Sequence, residues 1–275
     1  MKDIVENRGH ISFARKLRLA YLVLKENGAR WCTLLLIYYA ASGMAHRAFR
    51  WMDHIRRMHH LPGLNSAALN REIWDSWDWN RAGEEWTISE RWKDSLIRCV
   101  LQTEIPHGAA VLEIGPGAGR WTEALLARCS KYTGVDISAT CVERCRQRFA
   151  HASQAQFIVG SGRDLAPIAD HSTDAIWSFD VFVHVNRAEV ESYVKEFARV
   201  LRPGGLAVVH HGTVGGASGG WRSDLTAATL HELLSQHTFS VVKSFGRWSD
   251  GDATHDLQYG DVITIFEKPM TPAPV

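Results

Sequence analysis

Residues able to do chemistry gather in a few short stretches beyond residue 110. Glu113-Ile-Gly-Pro-Gly-Ala-Gly119 sets glycines at 115, 117 and 119 behind an apolar run. Such glycines let a backbone turn tightly and meet a ligand with no Cβ in the way. A helix that follows would aim its free N–H groups at the same place. Asp136 ends Tyr132-Thr-Gly-Val-Asp136, where a carboxylate can accept both hydroxyls of a ribose. Val159-Gly-Ser-Gly-Arg-Asp-Leu165 is a turn whose backbone could read an adenine edge. Ile176-Trp-Ser-Phe-Asp-Val-Phe-Val-His184 carries Asp180 and His184, and His210-His211 closes a later strand. Imidazole titrates near neutrality. His184 is therefore the first candidate base, with Asp180 to orient it or its partner, and His210 and His211 are the second.

These residues need a scaffold, and the sequence from 109 onward supplies an alternating rhythm. Strands are expected at 110–114, 132–136, 156–160, 174–179, 205–210, 239–247 and 261–267. Helices are expected at 119–129, 138–149, 187–201 and 224–236. The alternation predicts an α/β fold, a doubly wound, mostly parallel seven-stranded sheet with an N-terminal helical extension. In such sheets the ligand lies beyond the carboxyl ends of the strands. The expected divisions are a helical extension or lid over 1–104, the sheet domain over 105–268 and a loose tail over 269–275. His211-Gly-Thr-Val-Gly-Gly-Ala-Ser-Gly-Gly220 reads as a mobile loop over the site. It ends in Trp221, which could stack on a substrate ring, and Arg222, which could bind an anionic group. The competing reading is a helix-capping turn built on Ser223 or Asp224. Trp74, Trp77, Trp79, Trp86 and Trp92 fall within nineteen residues. That density marks a packing surface or a ligand wall, with Trp86 taken as a substrate contact.

Ahead of that wall, residues 11–60 read as three helices, near 11–27, 30–41 and 44–59. Phe13, Leu17, Ala20, Tyr21 and Leu24 share one face of the first, and Asn27-Gly28 stops it. The third is expected to turn Met44, Ala48, Trp51, Met52 and Ile55 inward and Arg47, Arg50, Arg56 and Arg57 outward. Residues 1–60 hold eleven Lys/Arg against four Asp/Glu, a net +7 that leaves −6 for the remainder. Trp31–Ala45 is uncharged but short of the roughly 20 residues a span needs. It is read as a buried helix, with a helix lying in a membrane interface as the alternative. Five cysteines without a CxxC pair suggest reduced thiols in a cytoplasmic protein. No secretory signal and no metal site are expected.

Taken together, the motifs resemble those of class I S-adenosylmethionine-dependent methyltransferases over about 105–268. Glu113-Ile-Gly-Pro-Gly-Ala-Gly119 is similar to the family's first motif and Val135-Asp136 to its second. Leu201-Arg-Pro-Gly-Gly205 is similar to the stretch before the fifth strand. The resemblance implies S-adenosyl-L-methionine as cofactor. Gly115, Gly117 and Gly119 would line its methionine moiety and Glu113 would support its amino group. Asp136 would hold the ribose, Ile137, Gly162 and Arg163 would flank the adenine, and Phe179 would also contact the cofactor. Ser161 stands where many members have an acid, so Asp164 would take that place. A nicotinamide dinucleotide is disfavoured, because its fingerprint needs a glycine at 120, where this chain has arginine. The expected reaction is methylation of a small molecule at oxygen, on a sugar, lipid or secondary metabolite. A membrane-associated enzyme acting on a lipid-linked substrate through residues 11–60 is the alternative. A nonenzymatic cofactor-binding scaffold and a second copy of the chain as partner stay open. Nucleic acid is argued against by the acidic remainder and by the lack of a binding module.

Overall fold

A computed structural model describes residues 13–59, 61–213 and 222–270. The chain divides into two compact units, Met1–Leu61 and Pro62–Val275. The sequence set a division at 104/105 instead. Residues 62–104 join the second unit because they are tied into its core: Trp92, Leu96, Val100 and Leu101 pack in one cluster with Trp121 and Trp177.

In the first unit α1 runs over Phe13–Met58. Only Gly28 leaves helical geometry, with φ +76° and ψ 167°. The three expected helices are therefore one element kinked at the expected stop. The expected burial does not hold. Leu17, Tyr21 and Leu24, then Leu34, Leu36, Ile37, Tyr38 and Tyr39, and the face bearing Met44, Trp51, Met52 and Ile55 are exposed. Periodicity says which residues share a face and cannot say what covers it.

The second unit opens with α2 (Ala67–Ser76), capped by the Ser66 hydroxyl. Two 3₁₀ turns follow at Trp79–Arg81 and Glu84–Trp86. Next come α3 (Glu90–Leu96), a π turn at Ile97–Leu101 and α4 (Gln102–Glu104). The sheet domain then alternates: β1 (Ala110–Ile114), α5 (Thr122–Leu126), β2 (Lys131–Asp136), α6 (Ala139–Arg148), β3 (Ala155–Val159) and β4 (Thr173–Ser178). It continues with α7 (Arg187–Val200), β5 (Leu201–His211), α8 (Ala227–Gln236), β6 (Ser240–Phe245), β7 (Arg247–Asp250), β8 (Ala253–Asp256) and β9 (Val262–Glu267). The seven-stranded sheet has the order β3-β2-β1-β4-β5-β9-β6. Strands β3 to β5 are parallel, and β9 is antiparallel to both its neighbours. The segment expected as one strand over 239–247 divides at Gly246, and β7 pairs with β8 as a separate hairpin.

Alternate side chains fill the two faces of the sheet. Val111, Trp177 and Val208 enter one apolar cluster, and Leu112, Ile176 and Val209 the other. β1 lies between β2 and β4, so the chain winds away from it in both directions. The crevice above the carboxyl ends of these central strands is the place for a ligand.

Candidate active site

A cavity of about 520 Å³ occupies that crevice, and every residue lining it is numbered 65 or above. Its floor is the turn after β1. Gly115 has φ +68°, and a Cβ there would sit 2.3 Å from Val181 Cγ2. The expected long helix behind the loop is α5, only five residues long. The loop is held from α6 instead. Cys145 Sγ donates to the Gly117 carbonyl (3.2 Å) and Arg148 Nη1 to that of Ala118 (3.0 Å). Asp136, buried at the end of β2, accepts from Gly117 N–H (2.9 Å) and Ser138 N–H (2.9 Å). Burial pushes its carboxyl up to about 6, against the pull of those two amides. Ile137 and Gly162 continue this wall.

Helix α2 roofs the same end. Arg71 donates to the carbonyls of Ile137 (3.3 Å) and Ser161 (3.4 Å). Asp75 accepts from Ser138 Oγ (2.6 Å) and Thr140 N–H (3.2 Å). Asn70 donates to the His184 carbonyl (3.1 Å). Trp86 lies edge to face against Trp74 and Trp79, which are tilted on each other, above the loop, and Trp92, Trp121 and Phe179 wall the far end.

A ladder of alternating charge crosses that far end. Arg120, stacked 4.7 Å over Trp121, donates from Nη1 to Asp180 Oδ2 (2.6 Å) and from Nε to Thr87 Oγ1 (3.1 Å). Asp180 Oδ1 lies 3.1 Å from His210 Nδ1. His210 Nε2 lies 3.5 Å from Asp261 Oδ2, and Asp261 pairs with Arg222. The His210 ring is stacked on Phe179, 4.2 Å between centroids at 11°. Burial opposes the Asp180 charge, yet His210 and Arg120 hold its carboxyl down at about 2. Asp180 has φ +61°, which turns its backbone N–H to donate to His210 Nδ1 (3.1 Å). Aspartate tolerates that left-handed backbone better than most residues.

Of the expected site residues, Gly115, Gly117, Asp136, Ile137, Gly162 and Phe179 line the cavity, as do Asp180, His184, His210, Arg222 and Trp86. Five others are placed elsewhere. Glu113 is fully buried beneath the loop, accepting from Thr122 Oγ1 (2.7 Å) and Tyr132 Oη (2.5 Å); burial pushes it up to about 7. Gly119 packs on Phe149. Arg163 and Asp164 belong to an exposed turn closed by the Ser161 hydroxyl. His211 faces the opposite side of β5, its ring bonded to the Gly212 carbonyl (2.8 Å) and Thr264 Oγ1 (2.8 Å). Burial pushes it down to about 4. Arg222 is already paired with Asp261 and stacked on Tyr259, so it is not an open anion site. Trp221 and most of the glycine-rich loop lie outside the described residues, as does the tail beyond 270. Sequence reasoning missed Arg120 and Asp261 as site residues. Arg120 directly follows the glycines, and Asp261 directly precedes β9, whose pairing with β5 brings it to His210.

Comparison with known proteins agrees with this architecture. Residues 112–209 match the methyltransferase domain family. A putative O-methyltransferase of Mycobacterium avium is 33% identical over 127 residues, 43% of this chain and 55% of that protein. The chain thus spans about half the length of the curated relatives it matches. Among solved structures, the N-methyltransferase NodS from Bradyrhizobium japonicum in complex with S-adenosyl-L-homocysteine superposes with a TM-score of 0.55 at 18% identity. It covers 74% of this chain and 98% of that one. A chain from the complex between the Haloferax volcanii Trm112 methyltransferase activator and a methyltransferase gives a TM-score of 0.59 at 21% identity. It covers 74% of this chain and 99% of that one. At these identities the structures show a shared fold.

Proposed function

We propose that the Pro62–Val275 unit carries a class I methyltransferase domain that binds S-adenosylmethionine and methylates a small molecule at oxygen. One observation carries the reading. A single cavity joins a carboxylate at the end of β2, beside the glycine loop, to an aromatic chamber with a His–Asp pair at its wall. The donor set fits the cofactor. Asp136 would accept the ribose hydroxyls, Ile137 and Gly162 would border the adenine, and Gly115 and Gly117 would run along the methionine part. The carboxamide oxygens of Asn65 and Asn70 accept no hydrogen bond among the described residues, which suits a ligand rich in N–H and O–H donors.

When bound, the cofactor supplies a methyl group on a positively charged sulfur. The protein must then orient the acceptor and take its proton. His210 is the better-supported group, because a proton gained there is flanked by the carboxylates of Asp180 and Asp261. His184 lines the same cavity beside Trp74 and remains the second candidate. The Mycobacterium relatives named as O-methyltransferases favour oxygen as the acceptor atom. A lipid-linked acceptor is the second reading, favoured by the basic and apolar character of α1.

Isothermal titration with S-adenosylhomocysteine tests the cofactor assignment. Binding is expected to be flat above pH 7. It should weaken by up to about tenfold per pH unit below about 6, as Asp136 gains a proton and loses an acceptor. Asp136→Ala should remove most of the affinity. No binding by the parent protein would refute the assignment, and methyl transfer to a panel of phenols, sugars and lipids tests the reaction.

A further inference from the structure

We infer that α1 is a membrane-surface element, and that the occupant of its uncovered apolar side is a bilayer containing anionic lipid. This inference concerns α1 alone and holds whatever the reaction. Leu34, Leu36, Ile37 and Tyr38 are 65, 70, 59 and 63% exposed. Successive helix positions turn by about 100°, so these four spread around the helix and leave no polar side. From Met44 onward two faces separate. Met44, Trp51, Met52 and Ile55 are 64, 70, 51 and 41% exposed on one, Arg50 and Arg57 stand on the other, and Arg47 flanks the apolar side beside Met44 and Trp51.

Charge selects the occupant. Residues 1–60 carry a net +7, so pairing two copies through this helix would bring like charges together. Anionic headgroups would neutralise the arginines while the acyl boundary takes up the apolar side. No described helix is long and apolar enough to cross a membrane. The uncharged Trp31–Ala45 stretch spans about 22 Å as a helix, short of the roughly 30 Å hydrocarbon core. The geometry is that of a helix embedded at one surface. Residues 31–43 would sink below the headgroups, and 44–58 would lie along them with Trp51 at the boundary.

Flotation of the full chain with phosphatidylcholine vesicles, with and without phosphatidylglycerol, tests this. The protein should float with the anionic vesicles at about 50 mM salt and mostly sediment at about 500 mM. Met52→Glu with Ile55→Glu should abolish flotation. Arg47→Glu with Arg50→Glu should cut recovery on anionic vesicles by about tenfold or more. S-adenosylhomocysteine titration and the helical circular dichroism signal check that each variant is folded. The inference fails if the parent chain sediments with both vesicle types, or if the Met52/Ile55 variant floats as well as the parent. It also fails if light scattering without vesicles finds a dimer that the Met52/Ile55 variant dissociates, which would assign the face to a second copy.

Discussion

A strand shows its side chains alternately to its two faces, so His210 and His211 are neighbours in sequence with separate surroundings. His210 meets Asp180, Asp261 and Phe179 at the cavity wall. His211 is bonded at both ring nitrogens within the opposite layer. Two substitutions should therefore diverge. His210→Ala should lower turnover by about 10²-fold or more, as loss of a proton acceptor does, with S-adenosylhomocysteine affinity retained. His211→Ala should leave turnover near normal and cost about 1–3 kcal/mol of stability through its orphaned partners. Methyl-transfer kinetics and urea unfolding of both proteins check the pair. Both histidines were legible as candidates from their place at a strand end, but separating them required the parity of β5, set by Val208 and Val209 entering opposite clusters. The surroundings of Glu113 were hidden in the sequence in a similar way. Its position in the motif is visible in sequence, whereas its burial against Tyr132 and Thr122 depends on side chains nine and nineteen residues away.

At the scale of elements, the sequence rhythm located the seven strands of the large sheet well, because each is a short apolar run bounded by turns. It was weaker where tertiary packing decides. The helix after the glycine loop is short because the chain there is held by Cys145 and Arg148 rather than by its own ladder. The β7–β8 hairpin went unseen because only Gly246 separates β6 from β7, and nothing local marks the change of partner. The glycine loop itself mixes two roles. Gly115 and Gly117 line the cavity, but Gly119, at φ +91°, lets the chain pass Phe149, whose Cε2 would lie 2.4 Å from an added Cβ. Gly119→Ala should thus act on stability first. We expect a loss of about 1–3 kcal/mol from overpacking and left-handed strain, read as a fall in thermal midpoint of about 2–4 °C per kcal/mol.

For the whole molecule, the division at 61/62 sets the cavity apart from α1 in sequence. Every lining residue belongs to Pro62–Val275, and that unit has its own two apolar layers. A chain beginning at Pro62 should fold and bind S-adenosylhomocysteine within about twofold of the full protein, as expected of a domain with its own core. Titration calorimetry on the two chains decides it, and a large loss of affinity would show that the cavity needs α1. The charge imbalance between the first 60 residues and the rest was plain in the sequence. The direction in which the α1 apolar face points was not, because a hydrophobic stripe predicts burial only when a core exists to receive it.

The tryptophans give these ideas an optical handle. Five of the eleven, Trp74, Trp79, Trp86, Trp92 and Trp121, line the cavity, while Trp31 and Trp51 stand exposed on α1. Indole emission shifts to the blue when water is removed and is quenched by close stacking. The molecule thus holds two sets of built-in reporters, one for ligand and one for lipid. Replacing Trp31 and Trp51 with phenylalanine would leave an emission signal that follows cavity occupancy, and the difference from the parent would follow the fate of α1.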